Sequence, residues 1–226
     1  LMLCASADDL VWLFLALELT SLPTYIMLAI PTARSRSMEA AVKCFFLGAL
    51  GAATFLYGFT LLYGATGSTN LSQISAALAS QIAQSGHINA LALVGLLLSV
   101  LGIGFKIAAV PMHFYAPDVY QGASAGVAAM LAFVPKTAGF LALILILSTV
   151  GWIGGEGTQG QLPSPIHEVL CVIAVLTMSV GNVLAILQTS VKRLLAYSSI
   201  AHSGYMLVGL IAGPGPVDAP FTANGL

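Results

Sequence analysis

Apolar residues run through this chain in long blocks, separated by short polar or glycine- and proline-rich punctuation. About 20 predominantly apolar residues make a helix that crosses a hydrocarbon core ~30 Å thick. Six such blocks predict six spans, at residues 9–31, 39–64, 88–116, 122–149, 166–187 and 193–212. Residues 68–86, rich in Gln, Ser and Ala, are too polar for a span and predict a surface segment with a short helix starting at Asn70. Residues 151–165 combine glycines, Gln159, Gln161 and two prolines, which predicts an irregular loop. The third block stands apart. Read from Ile88 to Tyr120 as one straight helix, it would measure ~50 Å at 1.5 Å per residue. Gly102 and Gly104 loosen its ladder, Pro111 cannot donate to the carbonyl of Ile107, and Pro117 interrupts again, so a discontinuous helix is expected. Non-helical backbone at that depth is tolerated where it is buried in protein or lines water.

The expected fold class is therefore all-α, a polytopic transmembrane helix bundle with a broken helix, forming one transmembrane domain over residues 1–226. The opening Leu1-Met2-Leu3-Cys4-Ala5 is apolar with no basic region before it, unlike a signal peptide, and reads as the interior of a helix. The close, from Gly213-Pro214-Gly215-Pro216 to Leu226, has loop chemistry. Both ends lead us to expect a fragment of a longer protein.

Composition narrows the class. With 58% hydrophobic and 7% charged residues, a water-soluble domain would have too little polar surface to cover itself. A net charge of −1 and seven Lys plus Arg exclude a nucleic-acid partner and leave the lipid bilayer as the surrounding medium. Cys4, Cys44 and Cys171 are odd in number and far apart, so they give neither a disulfide framework nor a metal-ligand spacing and read as packing residues. Lys and Arg outside the spans fall at Arg34 and Arg36 and at Lys192 and Arg193, with four spans between the two pairs. An even number puts the loops 32–38 and 188–193 on one face, which the positive-inside rule makes cytoplasmic. Asp8, Asp9, Glu156 and Asp218 are then expected at the opposite surface.

Four ionisable residues, Glu18, Lys43, Lys106 and Lys136, interrupt the apolar blocks. A charge at the bilayer centre costs roughly 2.5–3.5 kcal/mol on insertion scales, and such residues mark ion or proton pathways. Pro23 lies five residues after Glu18 and frees the carbonyl of Leu19, Pro111 lies five after Lys106, and Pro135 directly precedes Lys136 near the midplane. Freed carbonyls are satisfied either by water, which would hydrate the charges, or by a neighbouring Ser or Thr. Burial disfavours the charged form of a lysine and a nearby carboxylate restores it, so a lysine balanced between the two can load and release a proton. Two plainer readings stay open. Lys43, about four residues into its span, also fits snorkelling to the surface, and Glu18 with a lysine partner also fits a static packing pair. His113, beside Pro111, and His202, inside the last span, are further relay candidates, whereas His87 and His167 read as surface residues. Asp118 is expected to cap the helix of the fourth span. No cysteine cluster or Gly-rich phosphate loop suggests a cofactor or metal site in this chain.

Four ordered motifs carry a family resemblance: Phe14 to Tyr25 around Glu18 and Pro23; Phe105 to Ala123 with Lys106, Pro111, His113 and Pro117-Asp118-Val119-Tyr120-Gln121-Gly122; Pro135 to Phe140 with Lys136; and Gln188 to Tyr205 with Lys192, Arg193 and His202. Together they resemble the antiporter-like, proton-translocating membrane subunits of respiratory complex I. Their wording is nearest to the subunit N branch of bacterial NADH-quinone oxidoreductase, whose mitochondrial counterpart is subunit 2. The resemblance implies an inverted-repeat fold of fourteen helices with broken helices in each repeat, of which this chain would hold most of the first repeat and the start of the second. It implies a charged midplane axis onto which Glu18, Lys43, Lys106 and Lys136 map, and a further lysine on a later helix. It also implies a bacterial plasma (inner) membrane and an enzyme, the NADH:quinone oxidoreductase translocase, whose other membrane and peripheral subunits are partners. In that complex NADH, FMN, iron-sulfur clusters and quinone belong to those partner subunits. A subunit of a monovalent cation/proton antiporter is the alternative, because those homologues share the fold and the lysines.

Overall fold

A computed structural model describes residues 1–30, 35–150 and 162–213, without the side chains of Ser35 and Arg36. The expectations made for Arg34, Arg36, Glu156, Asp218, residues 151–161 of the irregular loop and the tail after Gly213 lie outside what is described. Nine helices and no strand occur among the described residues: α1 (Met2–Ala5), α2 (Leu10–Ala29), α3 (Ser35–Thr66), α4 (Leu71–Ser85), α5 (Ala90–Lys106), α6 (Ala116–Gly122), α7 (Ala125–Ser148), α8 (Ser164–Ile186) and α9 (Val191–Ala212). By length and composition α2, α3, α7, α8 and α9 can each cross a membrane, and α5 is a shorter apolar helix of 17 residues. The protein is an all-α transmembrane bundle with a discontinuous helix.

Polarity is arranged inside out relative to a water-soluble bundle. Large apolar side chains such as Ile26, Phe46, Val183 and Leu195 face outward, where lipid is the natural solvent. The charged and hydroxyl-bearing Lys106, Lys136, Ser21, Ser99, Thr177 and Ser203 are buried. Helices in lipid gain little from burying apolar surface against one another, so close approach through small residues drives their packing. The α3/α5 contact is built this way. A Cβ added at Gly102 would lie 2.4 Å from the Phe55 nitrogen and 2.8 Å from the Gly51 carbonyl, and one at Gly58 would lie 2.6 Å from the Ser99 nitrogen. Gly181 and Gly204 bring α8 and α9 together in the same manner.

Local chemistry explains the boundaries. Asp9 caps α2 through Val11 N–H at 2.8 Å, and Asn70 caps α4 through Gln73 N–H at 3.1 Å. Gly86, with φ +74°, closes α4 in the left-handed region where a side chain is strained. The two caps also meet. Leu10 N–H donates to Thr69 O and Leu71 N–H to Asp8 O, each at 2.9 Å, which fastens the start of α2 to the α3–α4 turn. Pro23 and Pro135 sit inside α2 and α7, which continue through them.

The interruption in the third block is a real break, set differently from the expectation. α5 ends at Lys106, five residues before Pro111, and Ala108 takes φ +55°. The helix has therefore stopped before the carbonyl of Ile107 could need a donor. Its last carbonyls are satisfied locally: Phe105 O accepts from Ala108 N–H at 3.0 Å and from the Tyr115 hydroxyl at 2.9 Å, and Gly104 O accepts from Ala109 N–H at 2.9 Å. Val110 N–H donates to Thr177 Oγ1 of α8 at 3.0 Å, which anchors the irregular stretch. Asp118 does not cap the following long helix. That cap is Ser124, which accepts from Val127 N–H at 3.5 Å, because α6 ends at Gly122 and α7 starts only at Ala125.

Candidate functional site

The side chains of Glu18, on α2, and Lys106, at the end of α5, meet each other. The Lys106 ammonium lies 3.2 Å from Glu18 Oε1, and its side chain is 3% exposed against 23% for the glutamate. The ammonium also donates to the Ser21 hydroxyl. Ser21 follows Glu18 by three residues and so shares its helix face; its own hydroxyl donates to Leu17 O at 3.0 Å. The phenyl rings of Phe55 and Phe105 lie with their centroids 6.0 and 5.9 Å from Lys106 Nζ, within cation–π reach. As the last residue of α5, Lys106 also puts its positive charge at the negative end of a helix dipole.

Lys136 has no carboxylate beside it among the described residues. Its ammonium is solvated by α9, donating to Ser199 O and Ser199 Oγ, both at 2.6 Å, and to Ser203 Oγ at 2.9 Å. Three donors meet three acceptors, so the buried lysine is saturated without a counter-ion. Gly139 lets α7 approach this region closely: a Cβ there would sit 2.7 Å from Ile107 Cγ2 and 3.0 Å from Lys106 Cβ. The two lysines line one cavity of about 30 Å³, together with Ser21, Tyr115 and Tyr120.

Lys43 is held elsewhere. Its ammonium bridges Glu39 at 2.6 Å and Asp118 at 2.7 Å, and its side chain is 42% exposed. Asp118 also pairs with Arg193 at 3.1 Å, and Arg193 reaches Gln121 and Gln188. Lys192 donates to Ala123 O at 2.9 Å, and Ser37 Oγ to Gly122 O at 2.9 Å. An ionic cluster thus ties the starts of α3 and α9 to α6. The structure brings Glu18, Lys106 and Lys136 to one interior region and holds Lys43 in the more exposed ionic cluster.

The two histidines part company. His113 is buried in the break, with its ring 4.4 Å from that of Phe114 and with no hydrogen-bond partner for Nδ1 among the described residues. His202 is exposed on α9 and packs edge-on against Tyr205, away from the serines that hold Lys136. His87 and His167 are exposed, as surface residues should be. Sequence reasoning missed Ser21, Ser199 and Ser203. The i, i+4 spacing of Ser199 and Ser203 in an apolar helix was the available signal, since it puts both hydroxyls on one face.

A transmembrane helix bundle with a broken helix, and with a buried ion pair and a buried lysine sharing one cavity, defines a class: membrane proteins built to hold charge in the bilayer. Residues 7–222 match the family described as NADH:quinone oxidoreductase/Mrp antiporter, transmembrane, and the chain belongs to that family. It is 44% identical over 210 residues to NADH-quinone oxidoreductase subunit N of Desulfovibrio desulfuricans, covering 92% of this chain and 40% of that protein. A chain of respiratory complex I from Thermus thermophilus with bound aureothin superposes with a TM-score of 0.74 at 40% identity, over 92% of this chain and 42% of that one. A chain of the Mrp complex from Dietzia sp. shares the fold, with a TM-score of 0.79 at 24% identity over 92% of this chain and 36% of its own length. The chain spans about two fifths of the length of these relatives.

Proposed function

We propose that this chain is part of a proton-translocating membrane subunit of NADH-quinone oxidoreductase, moving protons through buried charged side chains. The observation that carries the reading is the shared cavity: a lysine paired to a buried-edge glutamate and a lysine solvated only by serines open onto the same small space. Charge held at that depth is costly, and by default it marks an ion or proton pathway. In this reading Glu18 sets the affinity of Lys106 for its proton, Lys106 exchanges protons with Lys136 through the cavity, and Ser199 and Ser203 keep Lys136 solvated in its charged form. Lys43, through Asp118, gathers protons at the exposed ionic cluster. His113 and His202 are secondary members, and the buried Nδ1 of His113 favours it over the outward-facing His202.

Redox chemistry enters from partner subunits of the assembled complex, where NADH, FMN, iron-sulfur clusters and quinone would act. Quinone reduction there supplies the driving force, which makes the assembly, and not this chain alone, the enzyme. In this reading residues 1–226 belong to one transmembrane domain in a bacterial plasma membrane. The cluster joining the starts of α3 and α9 favours loops 32–38 and 188–193 on one face, the cytoplasmic one by their charge.

The family description also names Mrp antiporters, so the same residues could exchange a monovalent cation for protons. Vesicles carrying the full-length protein in its native complex distinguish the two. NADH-driven proton uptake without added cation gradient, lost in Lys106→Met and Lys136→Met, is expected; proton exchange driven by a Na⁺ or K⁺ gradient in the absence of NADH would overturn the respiratory reading.

A further inference from the structure

Tyr115 and Tyr120 both line the cavity between Lys106 and Lys136, and their hydroxyls are in opposite situations. That of Tyr115 is committed, donating to Phe105 O at 2.9 Å. That of Tyr120 is sealed from the surface and has no hydrogen-bond partner among the described residues. Buried hydroxyls are nearly always satisfied by protein or ordered water, so an orphan beside a cavity points to water. Room exists for it: about 30 Å³ of cavity compares with the ~10–15 Å³ that one water requires. Much of the remaining wall is apolar, including Leu131, Pro135 and Ile200, which leaves few groups able to orient that water. Ser199 lies near the Tyr120 hydroxyl, though outside hydrogen-bond geometry. The same Ser199 accepts the Lys136 ammonium through both its Oγ and its carbonyl.

We propose that Tyr120 passes protons between Lys106 and Lys136, its hydroxyl bound to water in the cavity on one side and linked through Ser199 to Lys136 on the other. The inference rests on the proton-relay reading above. The Lys106 ammonium gives one proton to cavity water. The Tyr120 oxygen accepts a proton from that water as its own proton passes on toward Ser199 and the neutral Lys136 amine. One N–H bond breaks at Lys106 and one forms at Lys136, and the phenol ends neutral. Its hydroxyl then rotates back to its starting orientation.

The test uses the full-length protein in its native complex, reconstituted into vesicles, with Tyr120→Phe as the variant. The ring is kept and only the unpaired hydroxyl is lost, so thermal stability and assembly should match the wild type. Proton translocation should fall about tenfold, the rate equivalent of one hydrogen bond lost at the transition state. The solvent deuterium isotope effect should rise, a change that a purely structural role would not cause. Tyr120→Gln, whose amide can hold water but does not pass a proton on, should stay as slow as Tyr120→Phe. Wild-type translocation and isotope effect in Tyr120→Phe, with Lys106→Met and Lys136→Met inactive, would overturn the Tyr120 role and leave the relay standing. Wild-type translocation in both lysine variants would overturn the relay and this inference with it. Destabilised Tyr120→Phe with an unchanged isotope effect would make Tyr120 a packing residue and also overturn the role.

Discussion

Replacing Glu18 by Gln removes the carboxylate charge from the 3.2 Å contact with Lys106 while keeping the shape of the side chain. With an effective dielectric of ~20, two unit charges at that distance attract by about 5 kcal/mol. Desolvation offsets part of this gain, and losing one member of a buried pair typically costs about 3–5 kcal/mol because the partner is left uncompensated. Ser21 still accepts from Lys106, so the lower end of the range, about 3 kcal/mol, is expected for Glu18→Gln. Lys106→Met alone should cost less, because Glu18 is the more exposed partner and can find other solvation. The double variant Glu18→Gln/Lys106→Met should recover most of the loss, since it leaves no unpaired charge. Equilibrium unfolding of the full-length protein in detergent, run as a double-mutant cycle, measures the coupling. Additive losses in the double variant would refute the ion pair as an energetic unit.

Other outcomes follow from the same geometry. Ser203→Ala removes a hydrogen bond to the charged Lys136 and should lower stability by about 1.5–3 kcal/mol in the same unfolding assay. Gly102→Ala forces a Cβ to within 2.4 Å of the Phe55 backbone, and overpacking of this kind should cost about 1–3 kcal/mol, again read by unfolding. The hydrogen bond from the Thr69 hydroxyl, helped by Val11 N–H, holds the Asp9 carboxyl below its usual range. A depressed carboxylate stabilises the fold above its unfolded value, ~3.9, and loses that contribution as pH falls through the folded value. Wild type should therefore exceed Asp9→Ala in melting temperature at pH 6, with the gap closing below about pH 4.

Much of the fold was legible because membrane helices declare themselves by apolar length, and because Pro111, Gly86 and Asn70 punctuate the chain through backbone chemistry. The break after Lys106 shows where that legibility stops. Proline was the visible breaker, yet the chain leaves the helix earlier, through a left-handed Ala108 and the Tyr115 hydroxyl, whose help depends on tertiary folding. The candidate site divides in the same way. Glu18, Lys106 and Lys136 stand out against apolar neighbours, so their number and depth could be read directly. Their partners could not, because a serine in a helix is unremarkable until the rotation of that helix against its neighbour is known. Ser21, Ser199 and Ser203 become solvating groups only once α2, α5, α7 and α9 are assembled. Lys43 illustrates the converse: its shallow place in the span left both a relay lysine and a snorkelling one open, and its partner Asp118, seventy-five residues away, could not be read from the sequence.

The central claim is that protons cross through the interior pair of lysines. Proton uptake per electron delivered to quinone, measured in vesicles containing the native complex, tests it most directly when Lys106→Met and Lys136→Met are compared with His87→Ala. The relay predicts fewer protons per electron in both lysine variants and an unchanged ratio in His87→Ala, whose side chain is exposed at the surface. Unchanged ratios in the two lysine variants, with assembly intact, would contradict it.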